Sequence, residues 1–224
     1  MNLPWSAERA SNAYIHTVQS RHNSHESGVP EMLSAMAAGW NSRLIVETWP
    51  QGGVISTSVG LAIARQYTDG RHVCIVPDER SRSEYGSRMR EAAAGVSPEI
   101  IVGEAEEVMD SLLGIDFLVV DSKRKDYNRV LRLAKLSAKG AVLICKNACS
   151  KTIAASGGSS FMWRSVLGQG THRIVRSVFL PVGKGIEMAH VSAIGSNNNS
   201  VVKGGKRWVR HVDQRSGDVH FIRT

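Results

Sequence analysis

Residues 103–147 read GEAEEVMDSLLGIDFLVVDSKRKDYNRVLRLAKLSAKGAVLICKN. Residues 115–120 (IDFLVV) form a short, mostly apolar run that ends in the carboxylate of Asp121. Residues 141–145 (AVLIC) form a second run, which ends in Lys146 and Asn147. Between them Tyr127, Val130, Leu131, Ala134 and Ala138 recur at steps of three and four, the spacing of one helical face. The order is strand, helix, strand. Each apolar run is too short to span a membrane and too continuous for a strand with one wet face. Both suit a parallel sheet covered on two sides. Ligands of open α/β sheets bind at the carboxyl ends of the strands. Asp121, Lys123, Lys146 and Asn147 stand at such ends and are the first candidates for chemistry.

Working outward, the same alternation continues. Upstream, the spacing predicts a helix over 6–20 with Ser6 as its N-cap, a polar break at 22–25, and a helix over 30–39 opened by Pro30 and closed by Gly39. Strands follow at 43–47, 72–76 and 99–102. Helices are expected at 56–67, at 81–94 with Gly95 as cap, and at 104–113. Strict β–α alternation marks a doubly wound, mostly parallel sheet. Downstream of Asn147 the pattern changes. Residues 154–160 (AASGGSS) read as a loop and 161–167 as a short helical piece. Residues 173–180 and 186–193 read as an antiparallel pair joined by PVGKG. Residues 195–205 are low in complexity, and 208–212 with 219–222 read as a last hairpin. One α/β domain over 1–224 is expected, with its core at about 30–193 and a basic C-terminal hairpin at about 206–224.

The chain has 224 residues, 42% of them hydrophobic and 21% charged, the balance of a globular domain rather than a disordered or membrane-spanning chain. No apolar run approaches the roughly 18 residues of a membrane span, so no membrane partner is expected. The N-terminal residues have neither the apolar core of a signal peptide nor the composition of a transit peptide. Cys74 and Cys145 fall inside strands and read as small hydrophobes, whereas Cys149 follows one. A reducing compartment, cytoplasm or nucleus, follows as the expectation. The net charge of +8 attracts anions, nucleic acid or an anionic cofactor among them. Part of the excess lies in the tail, at Lys203, Lys206, Arg207, Arg210, Arg215 and Arg223. That tail reads as a solvated basic hairpin or as a nucleic-acid contact.

At the first β–α turn stand Glu47, Thr48, Trp49, Pro50, Gln51, Gly52 and Gly53, followed by Ser56 and Thr57 at a helix start. The dinucleotide fingerprint G-x-G-x-x-G is absent. The turn fits a site built from a strand-end acid and a helix N-terminus, or else a Gly-Gly turn with a capping Ser. Asp78 or Glu79, after the second strand, could accept from a ribose hydroxyl; an acid there also suits a helix start. The basic triplet Lys123-Arg124-Lys125 reads as a solvated face or as a source of a catalytic Lys.

These residues resemble class I S-adenosylmethionine-dependent methyltransferases of the catechol and caffeoyl-CoA O-methyltransferase type. The resemblance runs from about Pro30 to Ala193 through PEMLSAMAAGWNSRLIVE, GEAEEVMDSLLGIDFLVVDSKRKDY, KGAVLICKN and SVFLPVGKGIEMAHV. More closely, the whole chain resembles a plant family of unknown function grouped with these enzymes. The resemblance implies a Rossmann-like methyltransferase fold and a cofactor set of Glu47, Thr48, Gly52, Gly53, Ser56, Asp78, Ala105 and Asp121. It also implies a catalytic set of Asp121, Lys146 and Asn147. Where metal-dependent members place three ligands, Asp121 and Asn147 match and Lys146 replaces the middle Asp, so no metal is expected. The family's Lys base corresponds to Arg124, which does not release its proton. The function so implied is a metal-independent, S-adenosylmethionine-dependent methyltransferase-like protein acting on a small-molecule acceptor, with Asp121 orienting Lys146. The alternatives are an inactive cofactor- or nucleotide-binding module of the same fold, and a nucleic-acid-binding protein using its basic tail.

Overall fold

The protein is described here from a computed structural model that covers residues 5–20, 28–92, 97–148, 163–167, 173–192, 208–212 and 219–223. The expected break at 22–25, Gly95, Cys149, the loop at 154–160 and the tail residues Lys203, Lys206, Arg207 and Arg215 lie outside these residues. The chain divides into two compact units, residues 1–194 and 195–224. In the second, β10 (Trp208–Val212) and β11 (Val219–Arg223) pair antiparallel, with Trp208 opposite Arg223.

The first unit is built on a seven-stranded sheet of β1 (Leu44–Thr48), β2 (Arg71–Val76), β3 (Glu99–Val102), β5 (Phe117–Asp121), β7 (Ala141–Lys146), β8 (Ile174–Leu180) and β9 (Ile186–Val191). Its order is β3-β2-β1-β5-β7-β9-β8. The first five strands are parallel, and β9 runs antiparallel to both β7 and β8. This is the doubly wound sheet that the alternation predicts. Every residue of β1 and β5 is buried, as a strand covered on both faces requires. The edge strand β8 is mostly exposed and carries Arg176, a charge that discourages further pairing.

Period-two alternation sorts the strand residues. Phe117 and Val119 of β5, Val142 and Ile144 of β7 and Ile45 of β1 pack in one cluster with Ala13, Leu33, Ala37, Leu61 and Ala64. Those partners come from α1 (Ala7–Gln19), α2 (Val29–Gly39) and α3 (Ser56–Gln66). On the other face, Leu118, Val120, Leu143 and Cys145 pack with Met109, Tyr127, Val130, Leu131 and Trp163. Met109 belongs to α5 (Ala105–Ser111), and the next three belong to α6 (Tyr127–Leu133). Each strand continues its own parity. Glu47, Asp121 and Lys146 therefore fall on the α2–α3 side of the sheet.

Local signals behave largely as the sequence predicts. Ser6 caps α1 by accepting from the Arg9 N–H at 3.3 Å, and Pro30 sits in the first turn of α2. Gly39 is the last residue of α2, and the left-handed residue beyond it is Asn41, with φ 52°. Two elements differ from expectation. The helix after Asp126 stops at Leu133 rather than running to Ala138. Lys135–Leu136 (β6) instead pairs in parallel with Leu113–Ile115 (β4), the Ser137 N–H donates to the Ile115 carbonyl at 2.8 Å, and Lys135 pairs with Asp110 at 2.7 Å. Tertiary pairing overrides the helical spacing. Ala134 is still buried, but Ala138 is exposed.

The run at 115–120 is likewise cut in two at Asp116, whose carboxylate accepts from the N–H groups of Arg43 (2.8 Å) and Leu44 (3.0 Å). These contacts anchor the start of β1. Burial lifts the Asp116 carboxyl above its ordinary range, although both backbone donors pull it down. Asp116→Ala strands the part-buried Leu44 N–H. It is expected to cost about 1–3 kcal/mol, read as a lower urea midpoint at unchanged slope.

Candidate functional site

The strand order reverses at β1, whose neighbours are β2 and β5, and the crevice outside this switch point is where such sheets bind ligands. A cleft of roughly 470 Å³ opens there. Gly52 and Gly53 of the first β–α turn and Thr57 at the start of α3 line it, with Asp121, Lys123, Lys146 and Asn147 from the ends of β5 and β7. Val182 and Lys184 of the β8–β9 turn and Ile186 at the start of β9 also line it. The three residues expected to be catalytic thus share one cavity with the two turn glycines.

Asp121 and Lys146 are register partners on β5 and β7. Asp121 is nevertheless held by other groups: Oδ1 accepts from the Lys123 N–H at 2.9 Å and Oδ2 from Asn147 Nδ2 at 2.8 Å. Asn147 adopts φ 58°, a left-handed conformation that Asn tolerates better than most residues, and so turns its amide back onto Asp121. The Lys146 ammonium donates instead to Thr57 Oγ1 at 3.3 Å, in the first turn of α3. The expected Asp121–Lys146 orientation is thus replaced by a link from β7 to α3. Thr57 carries no signal of this role in the sequence, because the contact spans 89 positions.

Beneath the cleft lies a buried polar cluster. Glu47 Oε1 accepts from the Tyr85 hydroxyl at 3.0 Å and contacts His72 Nε2 at 3.1 Å; Tyr85 belongs to α4 (Glu79–Ala92). Burial pushes the Glu47 carboxyl upward. The His72 hydrogen bond and charge, the Lys146 charge and the Ser58 hydroxyl outweigh it, so Glu47 lies below the ordinary carboxylate range. Tyr85 goes the other way: burial and the neighbouring Glu47 push its phenol well up.

The first turn is filled by its own tryptophan. Trp49 is 2% exposed and packs edge-on against Tyr85, ring centres 5.2 Å apart, with the Arg88 guanidinium 5.9 Å from its ring. Arg88 also donates to the Gly53 carbonyl at 2.8 Å. A β-carbon at Gly53 would meet the Pro50 carbonyl at 2.8 Å, so the turn needs glycine for close approach. Trp49 Nε1 and Thr48 Oγ1 are buried polar atoms with no hydrogen-bond partner among the described residues.

The whole chain, residues 1–224, matches the family model described as Protein of unknown function (DUF1442). The chain belongs to that family. No curated relative matches it. Solved structures share the fold. A methyltransferase from Geobacter sulfurreducens matches at 18% identity over 83% of this chain and 90% of its own, with a TM-score of 0.56. An O-methyltransferase from Bacillus cereus in complex with SAH matches at 16% identity over 84% and 92%, TM-score 0.55. The O-methyltransferase TomG from Streptomyces achromogenes, in complex with SAM, matches at 19% identity over 86% and 100%, TM-score 0.53. At such identities the likeness establishes the Rossmann-like methyltransferase fold.

Of the remaining expected cofactor residues of this DUF1442 chain, Ser56, Asp78 and Ala105 are not among those that line the cleft. Ser56 heads α3. Asp78 is exposed and caps α4, its Oδ1 accepting from the Ser81 N–H at 2.7 Å, which with the Ser81 hydroxyl lowers its pKa. Ala105 is 1% exposed and belongs to the core. Arg124 is clamped to Asp126 through Nε (2.9 Å) and a terminal nitrogen (2.6 Å), and does not line the cleft.

Proposed function

We propose that this DUF1442 protein is an S-adenosylmethionine-dependent methyltransferase-like protein that works on a small-molecule acceptor without a metal. The observation that carries the reading is the convergence of Asp121, Lys146 and Asn147 with Gly52 and Gly53 in one cleft at the switch point of the sheet. The cofactor supplies an activated methyl group when bound. The unpartnered Trp49 Nε1 and Thr48 Oγ1 fit a polar ligand at the first turn, since buried polar groups ordinarily have partners. Gly52, Gly53 and Ser56 would hold its near end, and Asp78 a ribose hydroxyl. Asp121 and Asn147, locked to each other, would position the acceptor. The Lys146 ammonium would stabilise negative charge developing on the acceptor oxygen. Glu47 would act at one remove, supporting the charge of Lys146 from the buried layer.

The test is calorimetric titration of the full chain with S-adenosylmethionine and S-adenosylhomocysteine, each with and without magnesium. Binding of both ligands, unchanged by the cation, is expected. No binding under any condition would sink the cofactor assignment, and binding only with magnesium would sink the metal-free one.

A further inference from the structure

The charge balance of the cleft says what its second ligand carries. Its ionisable lining residues are Lys123, Lys146, Lys184 and a single acid, Asp121. Asp121 sets one negative charge against three positive ones, and its oxygens already accept from the Lys123 N–H and the Asn147 amide, so the lining keeps a net positive charge. Among the described residues no carboxylate stands within 4.0 Å of the three ammonium groups. Among the described residues the Lys146 ammonium hydrogen-bonds the neutral Thr57 hydroxyl, at 3.3 Å, and the buried Glu47 carboxylate acts on it only through its charge. An ammonium in a partly apolar recess favours an anion. Val29, Val182 and Ile186 supply that apolar wall.

We infer that the cleft takes an acceptor bearing an oxyanion, a carboxylate or a phosphate, set against Lys146 and Lys184 with its apolar body along Val182 and Ile186. The word acceptor rests on the methyltransferase reading; the anion site does not. Thr57 holds the Lys146 ammonium in place. Lys123 and Lys184, both exposed, stand at the rim and draw the anion in.

The test uses the full chain and three probes: 4-hydroxybenzoate, its uncharged isostere 4-hydroxybenzamide, and inorganic phosphate. Calorimetry should find the carboxylate bound and the amide at least about tenfold weaker, the usual gap between charged and neutral hydrogen-bonded contacts. Lys146→Gln should weaken the carboxylate about tenfold or more without moving the amide. Lys184→Gln, at an exposed turn that tolerates change, should give a severalfold loss that shrinks in high salt. It keeps the idea testable should Lys146→Gln fail to fold. Displacement of 4-hydroxybenzoate by millimolar phosphate would assign the site to phosphate; no displacement would assign it to carboxylate. Equal affinity for acid and amide, or neither anion bound, overturns the inference. S-adenosylhomocysteine separates the two readings. Carboxylate binding without cofactor binding would sink only the methyltransferase reading. Strict competition between the probe and S-adenosylhomocysteine would put the cofactor's own carboxylate in this subsite and overturn its assignment to an acceptor.

Discussion

Replacing Glu47 by alanine is expected to cost about 3–5 kcal/mol of stability, the typical penalty for removing one member of a buried polar pair that involves a charge. Glu47 is 1% exposed, and the Tyr85 hydroxyl and His72 Nε2 both meet its Oε1. The truncation leaves the phenol without its acceptor in a region closed by Trp49 and α4, and opens a void beside Cys74. Glu47→Gln keeps an oxygen for Tyr85 and should cost far less. The two variants together separate lost hydrogen bonding from lost charge. Urea unfolding at neutral pH reads the difference, and an alanine variant within about 0.5 kcal/mol of native would refute the cluster.

The same carboxylate sets an acid limit. Its folded pKa lies below the ordinary value, so the unfolded chain binds its proton more readily than the native one. The stabilisation is therefore complete above the unfolded carboxylate range, near pH 4–5, and is lost as pH falls through the folded value. Asp116 acts with the opposite sign. Burial raises its pKa, so its contribution weakens as pH rises through the same range. Stability of the native chain against pH, compared with that of Glu47→Gln, isolates the first effect: the variant should show a shallower acid loss. Parallel curves would mean that Glu47 titrates as it does in the unfolded chain.

Much of this arrangement could be read from the sequence, because a strand fixes which face each residue takes. Phe117 and Val119 precede Asp121 on one parity, Val142 and Ile144 precede Lys146, and Ile45 precedes Glu47. Continuous apolar runs predict a parallel sheet, and its strand ends predict where Asp121, Lys146 and Asn147 stand. What periodicity cannot carry is the partner across the fold. Thr57 meets Lys146 from 89 positions away, and Lys184 reaches the cleft on a turn whose role depends on how β9 pairs with β7. Glu47 looks like a ligand contact in the sequence because it ends a strand. The structure gives it to Tyr85 and His72, since a buried carboxylate must find donors and those two lie in the same layer. The helical period overstates the extent of α6 for a related reason: Ala134 and Ala138 keep it, but Lys135–Leu136 gains a pairing partner in Leu113–Ile115.

Lys146→Asp is expected to turn the cleft into a divalent-cation site. The substitution would place a second carboxylate beside Asp121, its register partner, with the Asn147 amide next in the chain. Oxygen ligands of that kind suit magnesium or manganese. The native ammonium opposes such an ion. At a separation of about 5 Å and an effective dielectric of about 20, a unit charge and a dication interact by roughly 6–7 kcal/mol, and the substitution reverses the sign. Even a fraction of that energy is several orders of magnitude in affinity. Without metal the variant should be less stable than the native chain, because it removes the positive charge that helps hold Glu47 ionised and adds a negative one near it. Bound manganese should then raise the variant's melting temperature in proportion to its occupancy, with no comparable shift in the native protein. Calorimetric titration with manganese, alongside thermal melts at matched ionic strength, reads both effects. Equal responses from the two proteins would show that the ammonium is not what keeps a cation out, and would send the metal question back to the geometry around Asp121 and Asn147.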